Sequence, residues 1–327
     1  MDNGQILMGF TGDVMIGRTV DRVISREGYA FPWGDVLPLL RTTDLNIINL
    51  ETTLTTSTRE ASKVFHFKAS PDRIRCLQIA GVGVANLANN HILDYEEEGL
   101  FETQRQLEGA GIRYAGAGAN EEEAARPVLL TVRGLRLGIL GATDNEKRWK
   151  AGPAQSGINH ISLLNEHDRE RLLATLRALR PQVDLLVVSI HWGPNLQETP
   201  RGETVSFGRE MIRNGADIVH GHSAHNFQGI EVYNGKLILY DTGDFVDDYA
   251  VHPDLQNDHS FLYLVTAGPG GLERLQLVPV LIDGCQVNRA HDFDYTWCIR
   301  RIQQLSAPFG TKISEEGIVE MGNWLIG

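Results

Sequence analysis

Cysteine is scarce in this chain, with Cys76, Cys285 and Cys298 the only 3 in 327 residues. They are scattered, odd in number and form no CxxC pair. That excludes a disulfide framework or a cysteine zinc site and points to a reducing compartment. Basic residues are also short, 30 Lys and Arg against 42 Asp and Glu, for a formal charge of −12. A nucleic-acid surface needs stripes of Lys and Arg to neutralise phosphates, so that partner class is excluded. No apolar run approaches the ~20 residues of a membrane span. The start, MDNGQILMGFTGD, carries neither a basic n-region nor a signal h-region. The expectation is a cytoplasmic protein with no transmembrane segment. P-loop and HExxH patterns are missing, and the glycines of GAGIRYAGAGAN form turns rather than GxGxxG. Without repeats, low-complexity linkers or a composition break, residues 1–327 read as one domain. Its core is expected at about 5–283, with a helical extension at about 290–327.

What is present is an alternation of strand-like and helix-like segments, the pattern of an α/β fold. Helical stretches are TVDRVISREG, RIRCLQIAG with Asp72 as an N-cap candidate, EEGLFETQRQLEGAG and NEHDRERLLATLRALRP, which ends at Pro181. AARPVLLTVRGLRLGILGATDN reads as two strands around a glycine turn. The polar EKRWKAGPAQSGINHIS reads as a loop over the site. From Ser260 the pattern becomes antiparallel, and DYTWCIRRIQQLSAPFGTKISEEG reads as a helix and a short extension.

Six apolar runs end in metal-binding or acid–base side chains: QILMGFTGD, LNIINLE, VGVANLANNH, DLLVVSIHWG, ADIVHGH and KLILYDTGD. Buried parallel strands look like this, and ligands in such sheets sit beyond the carboxyl ends of the strands, so distant residues can converge there. Asp13 is a metal-ligand candidate, although an aspartate at that junction also serves as an N-cap. Glu51 ends the run LNIINL, where an unpartnered charge is expensive. ANNHILD offers Asn90 as a neutral oxygen ligand. It also offers His91 as a general acid with Asp94 to orient its ring. His191 follows the apolar VDLLVVSI. HGHSAH is the strongest local signal, with His220, His222 and His225 in six residues. His220 and His222 share a strand face, and a turn at Ser223–Ala224 folds His225 back. Asp244 in YDTGDF completes the set.

Two alternatives at HGHSAH fail on their residues. The H-x-H-x-x-H spacing of metallo-β-lactamases needs an aspartate where Ala224 stands. A G-x-S-x-G nucleophile elbow at Ser223 needs a glycine where His225 stands.

Taken in order, GDVMIGR, INLETTLT, ANNHILD, SIHWG, GHSAHNFQGIEVYNGKLILY and GDFVDDY resemble the CapA family of poly-γ-glutamate and capsule biosynthesis proteins, over about residues 8–250. The resemblance implies the calcineurin-like metallophosphoesterase fold, a β-sandwich flanked by helices in four layers, α/β/β/α. It also implies one or two divalent metal ions, Mn, Zn or Fe. By position, Asp13 is similar to the first ligating aspartate, Glu51 to a bridging carboxylate, and Asn90 and His191 to ligands of a second metal. His91 corresponds to the acid of the Asn-His pair and His222 to the histidine of the GH motif. The chain departs from the expected pattern in four places, the first being glutamate rather than aspartate at the bridging position, Glu51. Met15 replaces a histidine ligand. GHSAH displaces His225 by one position, so that His220 competes for its role. YDTGDF stands for YSLGNF and brings Asp244 near the cluster.

The function expected is a metal-dependent hydrolase of a phosphoester or γ-glutamyl amide bond, acting through a metal-bound hydroxide, with His91 protonating the leaving group. Arg18 and Lys68 are the candidates to hold an anionic small-molecule or polymer substrate. The other readings are a non-catalytic accessory protein of capsule or polyglutamate assembly and an amide-bond tailoring enzyme.

Overall fold

The computed structural model describes residues 4–321, so both ends of the expected 1–327 span lie outside the described residues. Its frame is two stacked sheets. The larger runs in the order Gln286–Arg289, Gly271–Asp283, His259–Gly268, Ile6–Val14, Leu45–Leu50, Val82–Asn86, Arg113–Ala115. The smaller runs Ile230–Tyr233, Lys236–Leu239, Ile218–His222, Leu185–His191, Leu135–Thr143, Val128–Val132. The six motif-bearing strands are divided between the sheets, with Ile6–Val14, Leu45–Leu50 and Val82–Asn86 parallel in one. Leu185–His191, Ile218–His222 and Lys236–Leu239 are parallel in the other.

These strands are apolar on both faces because both faces are covered. In the larger sheet Phe10, Ile47 and Val84 point inward and meet Ile139, Val187, Ile218 and Leu239 of the smaller one. Their neighbours Ile48, Leu50 and Ala85 point outward, by the period of two, onto Val20 and Ile24 of helix Arg18–Glu27 and Leu100 and Leu107 of helix Glu96–Gly109. On the far side Leu140, Leu186 and Val188 pack against Leu172 and Leu176 of helix Glu166–Leu179 and Phe207 and Met211 of helix Gly202–Arg213. Each fully buried aliphatic side chain contributes about 1.5–3 kcal/mol. The result is helix, sheet, sheet, helix: the four-layer α/β/β/α arrangement.

Three local expectations change. Asp72 does not cap a helix. Its segment begins with a short turn at Pro71–Arg73 that has no side-chain cap, and the carboxylate instead takes Arg73 and the Tyr29 hydroxyl. Asp13 caps nothing either, because the helix after it begins at Arg18 with Gly17 at its N-cap. The C-terminal helix Asp292–Ser306 is part of the core rather than an appendage. Cys298, Ile299, Ile302 and Leu305 fill the space between the sheets, and Ser306 Oγ accepts the Ile230 amide at 2.9 Å. Beyond it, Ile318–Glu320 pairs with Gly271–Asp283.

Register brings the polar strand ends together. Asp13 pairs with Asn49 and Asn49 with Asn86 across the larger sheet, while His191 pairs with His222 in the smaller. A short strand, Asp244–Val246, runs parallel to Ile6–Val14 and sets Asp244 beside Asp13. That approach requires glycine at position 12: a Cβ there would lie 1.9 Å from the Gly243 carbonyl oxygen.

Candidate metal centre

Asp13 stands at the centre of the cluster, fully buried, with its two oxygens facing different sets of side chains. Oδ1 lies 3.8 Å from His191 Nδ1 and 3.7 Å from His222 Nδ1, and those two nitrogens are 2.9 Å apart. Oδ2 lies 3.6 Å from His225 Nδ1, which is 2.9 Å from Asp244 Oδ1. Two groups of converging donors result: Asp13, His191 and His222 in one, and Asp13, Glu51, His225 and Asp244 in the other. The carboxylate common to both is Asp13. Glu51, expected to bridge, falls in the second group alone.

The donors are held by a shell of amides and hydroxyls. Asn49 Nδ2 donates to Asp13 Oδ1 at 2.7 Å, while its own oxygen accepts from Asn86 at 2.9 Å and Asn89 at 3.2 Å. Those two donors set the orientation of the Asn49 amide. Tyr249 donates its hydroxyl to Glu51 Oε2 at 3.1 Å. The Asp241 carboxylate ties the amides of Ala224, at 2.7 Å, and Gly243, at 2.8 Å, and so fixes the backbone beside His225 and Asp244. Ser189 Oγ lies 3.0 Å from His222 Nε2, leaving Nδ1 of that ring to face Asp13.

The electrostatics follow from burial and crowding. Burial holds His191 and His222 well below the usual histidine range, so both imidazoles are neutral, the form that binds a metal. Burial also opposes charge on His225, but Asp244, Glu51 and Asp13 outweigh it and hold that ring well above its ordinary value. Burial and the neighbouring Glu51 push Asp13 up, and burial above all raises Asp244 to about 6 and Asp241 to about 7. Asp13 Oδ2, Glu51 Oε1, Asp244 Oδ2 and Asn90 Oδ1 are buried with no hydrogen-bond partner. Buried oxygens of this kind are costly unless a cation satisfies them, and the mixed nitrogen and oxygen set suits a borderline divalent ion. The residues fit the metal that the sequence implied.

His91 adjoins this centre. Its Nδ1 is 2.7 Å from Asp94 Oδ2, its Nε2 is 3.8 Å from Glu51 Oε1, and its ring stacks on Phe67 with centroids 3.7 Å apart. Asp94 also accepts the Phe67 amide at 2.6 Å and pairs with Lys63 at 3.0 Å. A cavity of about 720 Å³ opens over the centre, and its lining includes Arg18, Lys63, Asn90, His91, Arg148, His225 and Tyr249.

Two expected residues lie elsewhere. Lys68 does not line this cavity. Its ammonium donates to the Ser57 carbonyl at 2.8 Å and lies 4.4 Å from the Tyr95 ring centroid. The cavity lysine is Lys63, from a polar loop with no motif to mark it. His220 lies behind the cluster. Its ring nitrogens are used by Ser189 Oγ at 3.1 Å and the Thr11 carbonyl at 2.8 Å, and burial lowers it to about 4. Asp244, contested in the sequence, lies inside. Asn49 and Tyr249 sat unremarked within INLETTLT and GDFVDDY; their motif membership was the available signal. Arg18 lines the cavity, ion-paired to Asp248 at 3.3 Å. The EKRWKAGPAQSGINHIS segment reaches the cavity through Glu146 and Arg148.

Residues 8–249 match the family model described as bacterial capsule synthesis protein PGA_cap. A probable polyglutamine synthesis accessory protein of Mycobacterium tuberculosis is 33% identical, with 94% of this chain and 92% of that protein covered. The capsule biosynthesis protein CapA of Bacillus anthracis is 30% identical over 76% of this chain and 61% of its own length. For the PGA biosynthesis protein CapA of Bacillus subtilis the figures are 30%, 73% and 62%. A solved structure from Thermus thermophilus aligns over 81% of this chain and 99% of its own at 11% identity and a TM-score of 0.41. Six motifs whose polar ends meet in one buried centre, a family model spanning most of the chain and a relative alike almost end to end lead to one conclusion: the chain belongs to the PGA_cap family of bacterial capsule synthesis proteins.

Proposed function

We propose that this protein is a metal-dependent hydrolase that cleaves a phosphoester or γ-glutamyl amide bond of an anionic substrate in capsule or poly-γ-glutamate metabolism. The observation that carries it is the set of partnerless buried oxygens on Asp13, Glu51 and Asp244, beside a His91–Asp94 pair and a cavity that Asn90, His91 and His225 line. A divalent cation held by these side chains would supply Lewis-acid charge for the electron density that builds up at a phosphorus or carbonyl centre, and would lower the pKa of water. His191 and His222 with Asp13 form one seat, and Glu51, His225 and Asp244 with Asp13 the other. Asn90, with its unpartnered oxygen, lines the cavity with His91 and His225.

The remaining steps belong to the protein. Asp94 accepts the Nδ1 proton of His91 and fixes the ring, so that Nε2 faces the cavity and can deliver a proton to the leaving group. Lys63 and the Phe67 amide hold Asp94 in that position. Arg18 and Arg148 present cationic heads to an anionic substrate. Asn49 and Tyr249 keep the Asp13 and Glu51 carboxylates aimed while substrate exchanges.

Metal analysis of the purified protein beside His191→Ala and His222→Ala tests the first half. Turnover of a chromogenic phosphodiester against a γ-glutamyl anilide, with manganese, zinc or iron supplied, tests the second. No bound metal and no turnover with any of the three ions would overturn the reading. A non-catalytic accessory role is the second reading, and the likeness to an M. tuberculosis accessory protein favours it. Bound metal without turnover of either substrate class would support that role.

A further inference from the structure

The cavity over the centre has two characters. Its lining carries the charged side chains Arg18, Lys63, Glu146 and Arg148. Its rim carries exposed apolar side chains: Val64 is 84% exposed, Phe65 65% and Leu196 46%, and all three line this one cavity. Val64 and Phe65 sit together in the loop that also brings Lys63 to Asp94. Leu196 arrives from the opposite sheet, on the loop after His191. Apolar side chains grouped beside charged ones mark a binding groove more often than scattered single residues do.

The backbone supports the same picture. Arg18, Glu146, Leu196 and His225 all adopt left-handed conformations, with φ of 53°, 50°, 55° and 61°, and all four line the cavity. Such conformations cost energy in residues other than glycine and cluster where side chains must be aimed. For Leu196 the strain holds an apolar side chain out at the rim, with its amide tied to the Ala224 carbonyl at 2.8 Å. Inside the rim Phe67 continues the apolar wall, flanked by Tyr249 with ring centroids 5.7 Å apart. A cavity of about 720 Å³ falls within the roughly 300–1,000 Å³ that enclose whole organic ligands, well beyond the needs of a bare inorganic anion.

We propose that the substrate is amphiphilic: an anionic head, phosphate or carboxylate, lies over the centre near Arg18, Lys63 and Arg148, and an apolar or aromatic moiety bonded to it lies against Val64, Phe65, Phe67 and Leu196. This rests on the proposed function in taking the cavity as the substrate's seat. Within that function it selects phosphoesters of apolar alcohols, or γ-glutamyl amides of apolar amines, over an all-carboxylate chain. An oligomer of glutamate alone would set charges against the rim and leave its apolar surface wet.

The test is calorimetric binding to the whole protein supplied with manganese, so its readout is independent of turnover. Methylphosphonate is compared with phenylphosphonate, acetate with phenylacetate, and tri-γ-glutamate with all four. The two pairs separate a phosphate head from a carboxylate head. The phenyl member of at least one pair is expected to bind about tenfold more tightly than its methyl partner. That ratio should fall to near one in the exposed-site double variant Val64→Ser/Phe65→Ser, and fall partway in Leu196→Ser. Equal binding within both pairs, a ratio that survives in both variants, tighter binding of tri-γ-glutamate than of either phenyl compound, or no binding of any probe would each overturn the inference. A protein that binds with this preference but turns over neither substrate class would instead count against the hydrolase reading alone.

Discussion

His225 Nδ1 lies 2.9 Å from Asp244 Oδ1, an ion pair built from two places where this chain departs from the pattern it otherwise resembles. Asp244, Glu51 and Asp13 together hold His225 protonated at neutral pH despite its burial. A metal ion in that seat must displace the proton. Apparent affinity for a divalent ion should therefore rise as pH increases, because the competing proton is bound below the raised value of His225 and released above it. At pH 7, binding should release about one proton from this ring, in addition to any from Asp13. Asp244→Asn removes the largest carboxylate influence on His225 and should reduce that release. Calorimetry in buffers of different ionisation enthalpy measures it. Proton release independent of Asp244 would show that the pair does not control the site.

Asn49 touches the metal seats at two atoms, holding Asp13 Oδ1 at 2.7 Å and lying 3.3 Å from His191 Nδ1. Asn49→Ala should weaken metal affinity about 10–100-fold, with the fold intact. Competition with a chromogenic chelator reads the affinity, and circular dichroism confirms the fold. Unchanged affinity would reduce Asn49 to a packing residue.

His91 and Asp94 should separate chemistry from metal loading. His91→Ala and Asp94→Asn are expected to retain bound metal and to lose about 10²–10⁴-fold in kcat. The loss should be greatest with leaving groups that need a proton, and smallest with a nitrophenolate. Metal content and kcat for substrates with good and poor leaving groups give the answer. Loss of metal in His91→Ala would place that ring among the ligands instead.

His220 gives the opposite pattern. It is buried, lowered to about 4, and bonded through both nitrogens to Ser189 and Thr11. His220→Ala should cost the Thr11 carbonyl its shorter hydrogen bond and open a cavity against Phe10, destabilising the protein by about 2–4 kcal/mol. Metal binding should persist. Denaturant melts and metal analysis at low temperature distinguish this from a ligand's loss.

Metal removal should also be felt in stability. The partnerless oxygens of Asp13, Glu51 and Asp244 repel one another when no cation is present. A metal at 100 times its Kd should stabilise the fold by about 2.7 kcal/mol. Chelation should accordingly lower Tm, and manganese, zinc or iron should restore it. A Tm insensitive to chelator and to all three ions would argue against metal in this centre.

Much of this was legible in the sequence because it is written locally. Unbroken apolar runs such as LNIINL and VDLLVVSI announce strands buried on both faces, and a polar residue ending each run announces a site at the strand ends. Asp13, Glu51, His191, His222 and the His91–Asp94 pair could be singled out for that reason. Lys63 could not, because it reaches Asp94 from a loop whose composition is that of any solvated segment. Lys68, five residues on, has the same chemistry and a better-marked position, but its backbone turns it toward Ser57 and Tyr95.

The sequence by itself determined the elements, the family likeness and the residue types at the strand ends, since periodicity and motif spacing are properties of contiguous chain. Tertiary structure alone decided how the six strands divide between two sheets and that Asp13, not Glu51, is common to both donor groups. It also admitted Asp244 to the cluster while sending His220 behind it. The physical reason is register. A shift of one residue turns a strand side chain to the other face, and whether His220 or His225 meets Asp13 depends on the pairing of strands far apart in the chain and on the Ser223–Ala224 turn between them.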